Sequence, residues 1–267
     1  MLNIKNTEKL TNSQIRQIAP SVFTENAAAG TSEKYTHIPT HRVVNDMELL
    51  GWDVIDAKEI KARRNVGFQK HLLVFRNSEI MINGNDGDTV YPQILLTNSH
   101  DGKNAFTFTA GLFRMVCENG LVISTQEFEN VKIRHMGYDF TELQKTINSM
   151  VEKLPLTVES MNKFKQTELD QEQVLEFAKR ALEVRFNDIE NMDFDLDELV
   201  TPTRPEDKGN DLWSVFNVVQ EKLVHGMFNY KYGTKVRKAR KIKNFRQDMD
   251  LNSKLYSLAN EFVYQEA

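Results

Sequence analysis

Cysteine is almost missing from this chain. A single residue, Cys117, among 267 excludes an internal disulfide and any zinc site made of several thiolates of one chain. Long apolar runs are missing too: nothing approaches the roughly 18 consecutive apolar residues that cross a bilayer. The opening, Met1-Leu2-Asn3-Ile4-Lys5-Asn6, lacks the charged-then-apolar layout of a secretory signal. A cytoplasmic protein with no membrane partner is expected. Neither a GxxxxGK[ST] nor a GxGxxG phosphate cradle occurs, and no HExxH pair, so nucleotide hydrolysis has no motif and no cofactor is implied. A net charge of -4 excludes a uniformly basic coat. What is there, 40% hydrophobic and 27% charged residues, is the make-up of a globular chain of one or two domains.

The charge is unevenly placed. From Glu168 to Glu198 eleven acidic residues face only Lys179, Arg180 and Arg185, whereas Lys231 to Arg246 holds eight basic residues and no acidic one. Such runs are ordinarily solvated faces, here of signs that attract each other. The sharper reading is a polyanion contact. Tyr230, Tyr232 and Phe245 interleave with Lys231, Lys235, Arg237, Lys238, Arg240, Lys241, Lys243 and Arg246, which supplies phosphate neutralisation and rings on which bases stack.

Periodicity predicts an α+β protein, with an antiparallel β-sheet in the N-terminal half and a mostly α-helical C-terminal half. The expected divisions are a flexible arm over 1–34, with the small residues Ala27-Ala28-Ala29-Gly30, a β-rich core over 35–138, and a helical region over 139–267 packed on or extending from that core. Thr40 is placed to cap a helix carrying Val43, Val44, Met47 and Leu50, stopped by Gly51. Strands are expected at Trp52–Ile55, Phe68–Phe75, Ile80–Ile82, Tyr91–Leu96 and Ala105–Thr109. A short helix is expected from Gly111 to Glu118, ended by Asn119-Gly120, then strands at Leu121–Ser124 and Val131–Arg134. Apolar stripes predict helices at Thr141–Leu154, Asp170–Phe186, Asp211–Phe228 and Leu251–Val263, with Pro202 and Pro205 in a loop.

One block carries a resemblance. The turn Asn98-Ser99-His100-Asp101-Gly102 is followed by Gly111-Leu112-Phe113-Arg114 and then by Asn119-Gly120-Leu121-Val122. It resembles the signature of a phage- and plasmid-associated family, domain of unknown function 932. Within the block the signature positions are Asn98, His100, Asp101, Gly102, Phe113, Arg114, Asn119 and Gly120. The likeness extends to Tyr35-Thr36-His37-Ile38-Pro39-Thr40, Leu49-Leu50-Gly51-Trp52, Gly67-Phe68-Gln69-Lys70-His71, and Leu212-Trp213 with Asn217, Val219 and Glu221. It runs from Tyr35 to His225 and leaves out the basic run. The resemblance implies a mobile-element protein of the bacterial host cytoplasm and no particular chemistry.

Each chemical candidate has a plainer reading beside it. His100-Asp101 near Cys117 suggests a thiolate nucleophile with an oriented base, but Asn98–Gly102 has the composition of a turn whose side chains bond their own backbone. His37 and His41 have helical ligand spacing, interrupted by Pro39. Asp86 and Asp88 lack the rest of a calcium loop, so no metal is expected. Phe106, Phe108, Phe113 and Met115 could line a base-stacking groove; such residues are more often core, and Phe106 and Phe108, two apart on a strand, share one face.

Two function classes follow. The first is a non-enzymatic, nucleic-acid-associated protein that binds single strands through Tyr230, Tyr232, Lys235, Arg237, Lys238, Arg240, Lys241, Lys243 and Arg246, in replication or recombination. The second is an interaction factor whose acidic segment inhibits or redirects a host defence protein by imitating nucleic acid. An enzyme ranks third, with no catalytic residue to name. Homo-oligomerisation stays open.

Overall fold

The structure, a computed structural model, describes residues 8–33, 35–61, 66–83, 89–114, 119–122, 131–133, 139–186 and 189–264. The chain divides into two compact units, Leu2–Leu154 and Pro155–Ala267.

The first unit begins where an arm was expected. Helix α1 (Asn12–Ile18) opens with a capping box, Thr11 Oγ1 accepting from Gln14 N–H and the Gln14 side chain accepting from Thr11 N–H. Leu10, Ile15, Ala19, Val22 and Ala28 are buried along this stretch. Helix α2 (Thr40–Leu49) turns Val43, Val44 and Met47 inward, and both helices pack against β1 (Asp53–Glu59). Thr40 does not cap α2. Pro39 takes the cap position with no side-chain acceptor to offer, and the hydroxyl of Thr40, the first helical residue, is engaged with a buried histidine, His71.

The sheet is antiparallel throughout. It contains β1, β2 (His71–Arg76), β3 (Ile82–Asn83), β4 (Thr89–Asn98), β5 (Phe106–Arg114), β6 (Asn119–Val122) and β7 (Val131–Ile133), in the order β1-β2-β4-β5-β6, with β3 beside β4 and β7 beside β5. In β2, Leu72, Leu73, Val74 and Phe75 are all 0% exposed, so this strand is covered on both faces and reads as a continuous apolar run, not a half-wet alternation. Pro92 of β4 lies just past Gln93, where the pairing with β2 ends, a position at which a missing N–H is tolerated.

The short helix expected from Gly111 is not formed. Gly111–Arg114 continue β5, paired on one side with β4 and on the other with Asn119–Val122 of β6. The Leu-Phe-Arg run suits either backbone, Gly111 weakens a helix, and two partner strands decide the matter. Residues 115–118, with Cys117 and Met115, lie outside the described residues, as do Asp86 and Asp88. Helix α3 (Phe140–Glu152), capped by Asp139, is the last element of the first unit.

The second unit holds α4 (Leu154–Gln166), α5 (Gln171–Arg185), β8 (Met192–Phe194), α6 (Leu196–Val200), α7 (Leu212–His225), β9 (Asn229–Tyr232), β10 (Lys235–Lys238) and α8 (Phe245–Tyr264). Asp170 and Asp211 cap α5 and α7 through their carboxylates. Every residue of α7 from Leu212 to Val224 is buried, which makes it the central helix of this unit. Phe164, Phe177, Trp213, Phe216, Tyr256 and Phe262 form its aromatic core, joined ring to ring.

Candidate nucleic-acid interface

The basic run is an extended hairpin followed by a backbone-anchored strap. β9 and β10 pair Tyr232 with Lys235, and Gly233, at φ 60, takes the first of two loop positions, where hairpin turns need the left-handed region. Beyond β10 the chain is fastened to the end of α7: Ala239 N–H donates to Phe228 O at 3.0 Å and Ile242 N–H to Val224 O at 2.9 Å. Gly226 ends α7 at φ 67, and a Cβ there would lie 2.5 Å from the Ala239 carbonyl oxygen. Only glycine lets the strap approach this closely. Ala239 turns inward, while Arg240, Lys241 and Lys243 are exposed.

Strand pairing sorts the hairpin into two faces. Paired residues share a face and alternate residues do not, so Tyr230 with Arg237 and Tyr232 with Lys235 lie on one side, and Lys231 with Val236 on the other. β8 adds Phe194 and Met192 to the first face and Asp193 to the second. On the second face Asp193 and Lys231 make an exposed ion pair at 3.5 Å. Asp195 and Glu198 join Asp193 around a cavity whose wall also includes Phe194 and Tyr230 of the first face. The acidic block therefore ends by pairing with the basic run as a neighbouring strand, and Asp193 meets Lys231 on the second face.

The first face is cationic and aromatic. A cavity of about 510 Å³ is lined by Arg185, Arg237 and Arg240 with Phe186 and Tyr230, by Lys238, whose pairing with Asn229 assigns its side chain to the second face, and by no carboxylate. Tyr230 is half-buried in a ring cluster, 5.7 Å from Phe194 and from Phe186 between centroids, so it is a wall of the site more than a free ring. Tyr232 is 38% exposed, with the Arg237 guanidinium 5.0 Å from its centroid. A second cavity, of about 820 Å³, shares Arg185 and Arg240 and adds Lys241, Lys243 and Lys254, against one carboxylate, Asp250.

Arg185, Phe186 and Lys254 join the site without a signal in the sequence, since Arg185 precedes Arg240 by 55 residues. The Arg185 guanidinium donates to the Leu223 carbonyl and, at 2.5 Å, to the Arg240 carbonyl. Burial pulls its pKa down to about 10, which leaves it cationic at neutral pH. Of the residues expected in the interface, Tyr230, Arg237, Lys238, Arg240, Lys241 and Lys243 line the two cavities. Tyr232 and Lys235 lie on the same face, and Arg246, exposed in the first turn of α8, lines neither.

The signature turn has another role. Asn98 Nδ2 donates to Thr40 Oγ1 at 3.0 Å, Asp101 Oδ1 accepts from Ser99 Oγ and Lys103 N–H, and Tyr35 OH donates to the Ser99 carbonyl. Ala28 N–H donates to His100 O, and His100 N–H to Phe68 O. The turn thereby ties α2, β2's approach and the 28–35 stretch together. Desolvation, with Asp101 nearby, pushes the Tyr35 phenol up to about 12. His100 is 0% exposed, its ring against His37 at 4.5 Å and His71 at 5.3 Å. That is packing, not an open base. Phe113, Arg114, Asn119 and Gly120 form the paired ends of β5 and β6. His37 Nε2 donates to Thr24 O while His41 faces Glu25, and among the described residues no cluster of metal-ligating side chains forms. Phe106 and Phe108 are 0% exposed and pack edge to face, so they are core.

Comparison with known proteins agrees with the signature. The family model described as "Domain of unknown function (DUF932)" matches residues 29–256. The match passes His225 and takes in the basic run, which the resemblance had left out. Two Escherichia coli (strain K12) proteins, UPF0380 protein YfjQ and UPF0380 protein YafZ, are each 28% identical over 265 residues, covering 98% of this chain and 94% of their own length. No solved structure matches. Among the described residues no helix is long and apolar enough to cross a membrane.

Proposed function

The chain belongs to the DUF932 family, and we propose that it is a non-enzymatic, nucleic-acid-associated protein of a mobile element that takes single strands along the first face of the β9–β10 hairpin. The observation that carries this reading is the 510 Å³ cavity, with four cations, two rings and no carboxylate. Cations neutralise phosphates and rings stack on bases, the two things a sequence-tolerant single-strand site needs. By register Asp193 lies on the opposite face, paired there with Lys231.

The test is fluorescence anisotropy with labelled single- and double-stranded oligonucleotides over a salt series. Wild type should bind the single strand more tightly, with affinity falling steeply as salt rises. Reversing Arg237, Lys238 and Arg240 to Glu should lower the magnitude of the log–log salt slope by about 2, since each lost contact to a single strand removes about 0.7. A second reading, capture of a host protein, is favoured by the groove on α5. There Glu172 and Glu176 border Leu175, Leu196 and Phe262 in a cavity of about 420 Å³. Folded wild type that binds neither oligonucleotide at low salt would remove the first reading and leave this one.

A further inference from the structure

The larger cavity holds more positive charge than a passing strand requires. Along a backbone each phosphodiester carries one negative charge, and the smaller cavity alone supplies four cations for it. Past Arg240, the 820 Å³ cavity gathers Arg185, Arg240, Lys241, Lys243 and Lys254 around Asp250, an excess of four positive charges (five cations less one carboxylate). Its volume is that of a small-molecule site. Val184, Phe186, Ile242 and Leu251 give it an apolar part of the wall. Asn244 and Gln247, at the start of the 20-residue helix α8, face it as well, so the positive end of that helix adds to the field.

We propose that this cavity is a phosphomonoester site, which takes the phosphate of a strand end or of a free mononucleotide. A monoester is close to a dianion at neutral pH and presents three acceptor oxygens, where an internal diester presents one charge. It is therefore the phosphate that an excess of four positive charges selects. Arg185 is the fixed element: two of its N–H groups are held by the Leu223 and Arg240 carbonyls, which orients the planar fork and leaves its remaining donors for the ligand. Lys254 is the adjustable one. It is paired with Asp250 at 2.8 Å on an exposed helix turn, their side chains 57% and 62% exposed, and a dianion can draw it away from this exchangeable partner. The strand-end source rests on the single-strand reading; the mononucleotide source does not.

One oligonucleotide sequence is made with a 5′-phosphate, with a 3′-phosphate, or with hydroxyls at both ends. Each is titrated by anisotropy, and adenosine 5′-monophosphate is titrated alone by calorimetry. If the source is a strand end, one phosphorylated strand binds about tenfold more tightly than the hydroxyl strand, the gain expected from added charge-assisted hydrogen bonds. If it is a mononucleotide, the monophosphate gives saturable heat. In either case Lys254→Glu brings the preference or the heat close to nothing, and Asp250→Asn increases it. Equal binding of all three strands together with no heat from the monophosphate overturns the site while the single-strand reading stands. No strand binding at all, with saturable monophosphate heat, keeps the site and removes that reading. A preference that survives in Lys254→Glu overturns the assignment to this cavity.

Discussion

His71 holds a neutral imidazole by geometry and burial. Its Nδ1 lies 3.1 Å from the Gln69 carbonyl, which can only accept, so the proton sits on Nδ1 and is shared with Ser21 Oγ at 2.8 Å. Nε2 is then the acceptor for the Thr40 hydroxyl at 2.9 Å, and Thr40 Oγ1 accepts in turn from Asn98. Burial lowers the His71 pKa from 6.5 to about 4. Above pH 6.5 neither the folded nor the unfolded chain is protonated there. Between about 6.5 and about 4 only the unfolded chain binds the proton, so stability falls as pH falls, by up to about 3 kcal/mol. His225, lowered by burial and by Lys241, adds in the same direction. Urea midpoints should therefore drop from pH 7.5 to pH 5, and His71→Gln should flatten that drop at a lower overall stability; equal slopes in both proteins would refute the assignment. Two glycines offer a contrast of similar size. A methyl at Gly233 meets nothing within 4 Å, whereas at Gly226 it meets backbone at 2.5 Å. Gly233→Ala should cost about 1 kcal/mol, the left-handed penalty alone, and Gly226→Ala about 3. Thermal melts that rank them equally would refute the close approach of the strap.

At the scale of the element, α3, α5 and α7 were legible because apolar stripes coincide with carboxylate caps, Asp170 with Gln173 on α5 being the clearest, and α8 from its apolar stripe alone. Asp170→Ala should lower stability by about 1 kcal/mol in the same melts. The hairpin was not legible. Tyr230 and Tyr232 alternate with Lys231 as a strand should, but the surrounding cations hide the alternation and the segment reads as a charge run. The second half of β5 was hidden differently: a short apolar run after glycine is helix or strand according to its neighbours, and those neighbours come from β4 and β6. The site was legible as a set of cations and rings and not as a shape, since Arg185 and Lys254 reach it only through folding. If Tyr232 stacks on bases, Tyr232→Ala should weaken single-strand binding by about 1–3 kcal/mol and duplex binding much less. An equal loss on both would assign its effect to the Arg237 contact instead.

For the whole molecule, every residue of the proposed interface belongs to the unit Pro155–Ala267. That piece expressed alone should melt cooperatively and bind single strands with the salt slope of the full chain; a folded piece with no binding would show that the sheet unit takes part. The strap between Ala239 and Ile242 has a consequence of its own. It is held by main-chain atoms, the Ala239 and Ile242 N–H groups and the Arg240 carbonyl, so the identity of the side chains at 240, 241 and 243 does not fix its path. Those positions behave as an interchangeable cassette on a rigid mount. Their chemistry can drift, or be rewritten at the bench, without a new fold, and relatives that share this frame are free to present different surfaces to different partners.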